Sequence, residues 1–233
     1  MELKSGKRAL VTGGSRGIGF AIAQGLLEKG CEVIVTARSL DKAKRAAEKL
    51  EGKVIPIELD VTNDRSIDWA IETLRQSINR LDILINNAGV YPDKDVNILT
   101  ISRELLDSTM NANTFGAIRM VQACLPLLEK SQDARVINFS SGYGQLDGLS
   151  ASVPSYCLSK FALNGATIML AEALRPKGIA VNAIDPGWVR TDMGGTSAPR
   201  SPEQGADTAI WLATEAPHLE SGKLWRDRQV ISF

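Results

Sequence analysis

Apolar positions along the chain fall into short compact runs separated by longer amphipathic stretches. Residues 8–12 (RALVT), 32–37 (EVIVTA), 54–59 (VIPIEL), 82–86 (DILIN), 135–140 (RVINFS) and 179–185 (IAVNAID) are short, β-branched and apolar at successive positions, which predicts strands covered on both faces. The first is followed by a glycine-rich turn and then a helix with Ile18, Ala21, Ile22, Leu26 and Leu27 on one side. Further helices are predicted over about 41–51, 64–79, 103–130, 155–175 and 203–214. Pro126 ends or kinks the longest in its last turn, and Pro176 with Gly178 stops the next. A short strand near 229–232 closes the pattern.

Strand and helix alternate, with no repeat and no linker between, so residues 1–233 read as one domain. The fold expected is α/β: a Rossmann-type, doubly wound parallel sheet in a three-layer α/β/α sandwich. Ligands of such sheets bind beyond the carboxyl ends of the strands. Gly13–Gly19, Arg38, Asp60, Asn87–Gly89, Ser140-Ser141 and Pro186-Gly187 all follow predicted strands at that end.

Composition narrows the classes of function. Twenty-seven basic side chains balance 27 acidic ones, so no global field favours nucleic acid or a membrane surface as partner. No apolar run approaches a membrane span, and the first residues enter a strand pattern without the apolar stretch of a secretory leader. Cys31, Cys124 and Cys157 are dispersed and form no CxxC, which predicts reduced thiols and a cytoplasmic setting. The one histidine, His218, sits in a polar connection that reads as surface loop. A histidine-based metal site or Ser-His-Asp hydrolase is therefore hard to build; no metal is expected, and an acid or base must be another residue type.

Thr12-Gly13-Gly14-Ser15-Arg16-Gly17-Ile18-Gly19 joins the first strand to the first helix, with glycines at 13, 17 and 19. Glycine permits the tight turn and the close approach of a pyrophosphate to the positive end of the helix. An acidic residue at the end of the second strand would hold the adenosine ribose hydroxyls and repel a 2′-phosphate. Here Arg38 stands after that strand with no acid, and Arg16 could reach the same phosphate from the turn. Two guanidinium groups suit a phosphate, so the cofactor expected is NADP(H).

Tyr156 and Lys160 are spaced to share one helix face. A nearby ammonium favours the phenolate and should lower the phenol's pKa, which makes Tyr156 a usable general acid toward an alkoxide. Ser141 would donate a hydrogen bond to the carbonyl oxygen. Strand neighbours point to opposite sides, so only one of Ser140 and Ser141 can face the site.

Together these motifs resemble the classical short-chain dehydrogenase/reductase family: the TGxxxGxG turn, Asp60 in LDVT, Asn86-Asn87-Ala88-Gly89, Asn113 in NTFG, Ser141 in INFSS, YxxxK at 156–160, and Pro186-Gly187 followed by Thr191. They span roughly residues 8–192 in that family's order. The resemblance selects Ser141 over Ser140 and gives Asn113 a water chain that supplies protons to Lys160. It implies that Lys160 also binds the nicotinamide ribose, that Asp60 with Val61 meets the adenine, and that Asn87, Ala88 and Gly89 lie along the adenosine side. Pro186, Gly187, Val189 and Thr191 would line the nicotinamide, and Ser15 and Ile18 complete the turn.

A short glycine-containing loop near 191–201, without a helix of its own, suggests an open pocket lined by Trp188, Met193 and Tyr143. Tyr143, Leu146 and Leu149 either touch substrate there or lie in solvent. The C-terminal segment lacks the VDGG-like pattern of β-ketoacyl reductases and looks like the carbonyl-reductase-like branch. The activity implied is broad NADP(H)-dependent reduction of ketones or aldehydes, with apolar or aromatic groups, to alcohols. The alternatives are a β-ketoacyl thioester reductase acting on acyl carrier protein and a non-catalytic dinucleotide-binding sensor; assembly into a homo-oligomer stays open.

Overall fold

A computed structural model describes residues 6–217 and 220–233, so His218 lies outside the described residues. An eight-stranded sheet crosses them in the order β3 (Val54–Glu58), β2 (Glu32–Ala37), β1 (Arg8–Val11), β4 (Ile83–Asn86), β5 (Ala134–Phe139), β6 (Ile179–Ile184), β7 (Leu224–Arg226) and β8 (Gln229–Ile231). Every neighbouring pair as far as β7 is parallel, and β8 returns antiparallel. The sheet is flanked by helices in a single domain of the expected doubly wound type.

The strand period divides the core into two layers. Ala9, Val11, Val33, Val35, Ile83, Ile85, Ile137 and Phe139 pack on one face with α1 (Gly17–Glu28) and α7 (Pro202–Thr214). Leu10, Ile34, Leu84, Val136 and Val181 face the other, against α3 (Asp64–Ser77), α5 (Gly116–Leu128) and α6 (Pro154–Leu174). At the edge, β3 carries Pro56. Val33 N donates to Lys53 O and Leu59 N donates to Ala37 O, so odd-numbered residues of β3 face β2 and Pro56 turns its nitrogen outward.

Three boundaries differ from those the pattern predicts. The second helix, α2 (Leu40–Ala47), ends earlier, and the chain turns so that Leu50 joins the core. The long helix is two helices, α4 (Arg103–Met110) and α5, joined by a π turn at Asn111–Phe115; Pro126 lies inside the last turn of α5, which continues to Leu128. The C-terminal segment forms two strands, not one. Their connection, Asp227-Arg228, has φ of 51° and 60° at the two positions, a tight hairpin turn built without glycine. Its charged sequence gives no turn signal.

All three cysteines are free and buried. Burial pushes the Cys31 thiol up to about 11 and the Cys124 thiol up to about 12. Thiolates are the reactive form, so the native protein should release almost no colour with Ellman's reagent at about pH 8, and all three thiols should react after denaturation.

Candidate active site

The carboxyl ends of the strands leave backbone groups that the ladder no longer satisfies, and polar side chains there serve them. Thr12 Oγ1 accepts from Asn87 N and Ala88 N, each at 3.0 Å. Asn87 Nδ2 donates to Thr12 O at 2.9 Å and Gly13 O at 3.2 Å, tying the end of β4 to the glycine turn. Gly13 and Gly17 have φ of +63° and +54°, and a Cβ on Gly19 would lie 2.4 Å from Gly13 O. Helix α1 starts after Arg16 with no side-chain cap and no acidic residue in its first turn. Its leading N–H groups, beside half-buried Ser15, Gly17 and Ile18, are therefore suited to an anion such as a pyrophosphate.

Tyr156 and Lys160 lie one turn apart on α6. The half-buried Tyr156 phenol lies near Ser141, which favours its ionised form, and the Ser141 hydroxyl accepts from Tyr143 N at 3.2 Å. Ser140 turns the other way: its buried hydroxyl donates to Asn164 Oδ1 at 2.6 Å. Lys160 is 4% exposed, and its Nζ donates to Phe139 O at 2.6 Å while lying 5.5 Å from the centroid of the Tyr156 ring. Burial lowers the lysine to about 8.

The tyrosine departs from the expected direction. Burial raises its pKa above the ordinary tyrosine value; Ser141 opposes this, and Asp185, Tyr91 and Cys157 add to it. Burial outweighs the lowering expected from Lys160, whose ammonium donates to the strand-end carbonyl of Phe139 and lies over the ring.

Asn113 occupies the π turn between α4 and α5. Its Oδ1 accepts from Val90 N at 2.8 Å, and its Nδ2 donates to Val90 O at 2.9 Å and to Ser159 Oγ at 3.0 Å. A Cβ on Gly89 would come 3.0 Å from Asn113 Oδ1 and 3.7 Å from Lys160 Nζ, so glycine leaves room where these two side chains converge. Asn86 points into the core instead, donating to Ala117 O and Asn138 Oδ1.

The end of β6 supplies another wall. Asp185 Oδ1 accepts from Gly187 N at 2.9 Å, which holds the turn through half-buried Pro186, and Gly187 has φ of +72° over the Arg200 side chain. Val189 is buried and bridges to Arg200; Thr191 places its methyl against Gly17. Residues 191–201 contain turns and no helix. Arg16 pairs with Asp192 of this loop, both exposed, whereas exposed Arg38 stands directly after β2. Half-buried Asp60 accepts from Thr62 N and Thr62 Oγ1 through Oδ1, and Val61 follows it.

Two residues at the site escaped the sequence reading. Tyr91 stands edge-on to Tyr156 with ring centroids 4.8 Å apart, and Tyr143 does so at 6.3 Å, so all three tyrosines of the chain gather here. Asp93 is buried against the start of α6. The turn after NNAG gave a place to look, but neither residue stands at a position where a motif names it. Trp188, Met193, Leu146 and Leu149 are exposed around the same end of the molecule.

Residues 7–201 match the family profile described as short chain dehydrogenase. Short-chain dehydrogenase anuI of Penicillium roqueforti is 36% identical over 241 residues, covering 95% of this chain and 94% of that protein. A 3-oxoacyl-[acyl-carrier-protein] reductase of Aquifex aeolicus is 33% identical over 246 residues, covering 96% of this chain and 97% of that one. The NADPH-bound carbonyl reductase from chicken fatty liver superposes with a TM-score of 0.88 at 28% identity, covering 98% of this chain and 99% of that one.

The buried lysine makes stability depend on pH. With a folded-state pKa of about 8 below its ordinary 10.5, Lys160 costs stability fully at pH below 8, and the cost falls away as pH rises toward 10.5. Its size is on the order of 3 kcal/mol at neutral pH. Lys160→Met should therefore shift the thermal midpoint more favourably, relative to the parent, at about pH 7 than at about pH 10. Melting curves of both proteins across that range check this, and a pH-independent difference would refute it.

Proposed function

The chain belongs to the short-chain dehydrogenase family of oxidoreductases, and from that premise we propose that it is an NADP(H)-dependent reductase of ketones and aldehydes. The observation that carries this reading is the Tyr156 phenol near Ser141, with the Lys160 ammonium over its ring, at the strand edge that also holds an uncapped helix N-terminus. Gly13, Ser15, Gly17, Ile18 and Gly19 would hold the pyrophosphate. Asp60, Val61 and Asn87–Gly89 would line the adenosine side; Pro186, Gly187, Val189 and Thr191, with the Lys160 ammonium, would line the nicotinamide side. When bound, the nicotinamide supplies the hydride that reaches the carbonyl carbon.

The residues of this chain supply the proton. Burial keeps the Tyr156 phenol protonated at neutral pH, the state a general acid needs for reduction. Ser141 orients the carbonyl oxygen beside it, and the positive charge of Lys160 favours the phenolate left after donation. Asn113, bonded to Ser159 and the Val90 backbone, would support the water chain that returns the proton. The exposed ring faces of Tyr91, Tyr143 and Trp188 favour substrates with apolar or aromatic groups. Retention of Ser141, Tyr156, Lys160 and Asn113 in one cluster disfavours a non-catalytic sensor.

The identity to a 3-oxoacyl-[acyl-carrier-protein] reductase favours β-ketoacyl thioesters as the second reading. Loss of NADPH absorbance with a panel of ketones, aldehydes and β-ketoacyl thioesters separates the two. Turnover of simple ketones should appear and should fall at least ~10²-fold in Tyr156→Phe, with NADPH binding retained. Activity confined to thioesters would promote the second reading, and near-parental turnover in the Phe variant would remove Tyr156 as the acid.

Cofactor choice follows from Arg38 and Arg16 with no carboxylate at the end of β2. A charge-assisted hydrogen bond to a 2′-phosphate contributes about 1.5–3 kcal/mol, so NADPH should be preferred over NADH by at least about tenfold in kcat/KM. Arg38→Asp should reverse or abolish the preference while leaving turnover with saturating NADH largely intact. Equal use of both cofactors by the parent enzyme with one good ketone would refute the arginine contact.

A further inference from the structure

Helix α6 begins without a cap of its own. Val153 precedes it with no side-chain capping bond, and Pro154 at its first position has no N–H. The first N–H groups the helix possesses are those of Ser155 and Tyr156, and both are taken by one carboxylate from a distant turn. Asp93 Oδ1 accepts from Ser155 N at 3.0 Å, while Oδ2 accepts from Ser155 Oγ and from Tyr156 N, each at 2.9 Å. Asp93 is buried, and among the described residues it forms no ion pair. Its charge therefore answers the positive end of α6 and these three donors.

The segment leading to Asp93 is fixed at its other end as well. Asn113 holds both the N–H and the carbonyl of Val90. Tyr91 lies between the two anchors, edge-on to the ring of Tyr156. The phenol of Tyr156 is thus placed through its own backbone by Asp93, and its ring is flanked by Tyr91, from the same turn that carries Asp93.

We propose that Asp93 is a positioning residue for the Tyr156 reaction: its carboxylate fixes the first turn of α6, and with it the phenol, against Ser141. The reaction it serves is the carbonyl reduction proposed above, and the inference rests on that reading for its kinetic consequence only. A general acid displaced by about 1 Å can lose up to ~10²-fold in rate. Asp93→Asn keeps the size but, in either orientation of the amide, sets an N–H₂ against the backbone N–H of Ser155 or of Tyr156, so the turn loosens without a cavity. Asp93→Ala removes the anchor entirely.

The test combines kinetics with a readout that does not need turnover. Tyrosine labelled with 13C at the ring Cζ gives three signals in this chain, and Tyr156→Phe assigns one of them. The Tyr156 phenol faces Ser141, Asp185, Tyr91 and Cys157, with Lys160 over its ring, and in the parent its signal should stay that of a protonated phenol to a pH above that at which an ordinary tyrosine ionises. In Asp93→Asn and Asp93→Ala the signal should move and begin to ionise at lower pH, because the turn that buries the phenol has loosened. On ketone reduction, kcat should fall about tenfold in Asp93→Asn and further in Asp93→Ala, with the KM for NADPH within about twofold of the parent. A lowered melting temperature with an unmoved Tyr156 signal would reduce Asp93 to a stabilising cap and overturn the proposal, as would parental kcat in both variants. Should the Ala variant fail to fold, the Asn variant decides alone. Should the parent reduce no ketone or aldehyde, the proposed function falls, while the Tyr156 signal in the Asp93 variants still decides whether Asp93 positions the phenol.

Discussion

A parallel sheet ends its ladders on one edge, and each strand that stops there leaves backbone donors and acceptors that water or side chains must satisfy. In this protein the side chains at that edge take on the task. Thr12 and Asn87 bind the released groups between β1 and β4, Asn113 binds Val90, Lys160 binds Phe139 O, and Asp185 binds Gly187 N. The groups that satisfy the fold are thus the ones placed for chemistry. Changing one of them alters both the closure of the sheet edge and the disposition of the site, and the two effects have to be separated by measurements that respond to one of them only.

Charge is handled economically in the same region. Lys160 is buried with a carbonyl as its hydrogen-bond partner, and it sits beside a phenol that burial keeps neutral. An ammonium in that position costs stability at neutral pH and is retained where an aliphatic side chain would fit the surroundings with less penalty. Such a locally unfavourable group at a strand edge is the kind of inconsistency that marks a site of chemistry.

The sequence pointed to most of the layer structure because parallel strands buried on both faces leave continuous β-branched runs, as in EVIVTA and IAVNAI. It pointed to the edge residues because glycine turns, NNAG and YxxxK combine unusual residue types with fixed spacing. It missed what depends on partners far along the chain. A π turn changes the phase of a helix without changing its composition, so Asn111–Phe115 read as ordinary helix. The Asp227-Arg228 hairpin uses two left-handed residues other than glycine, so β7 was hidden in a charged stretch. Asp93 and Tyr91 matter through contacts with α6, more than 60 residues away, which no local pattern records. The direction of the Tyr156 shift was missed for a similar reason: spacing places Lys160 on the same face but does not reveal that the fold buries the phenol.

Pro56 has a consequence outside the site. An exposed sheet edge is a template on which a second chain can add a strand, and uninterrupted edges invite that kind of aggregation. With its ring nitrogen turned outward in the middle of β3, Pro56 removes a donor from the row that an incoming strand would need. Copies of this protein meeting along that border would find a gap in their shared ladder, so self-association through β3 is discouraged at the level of the backbone, whatever side chains surround it.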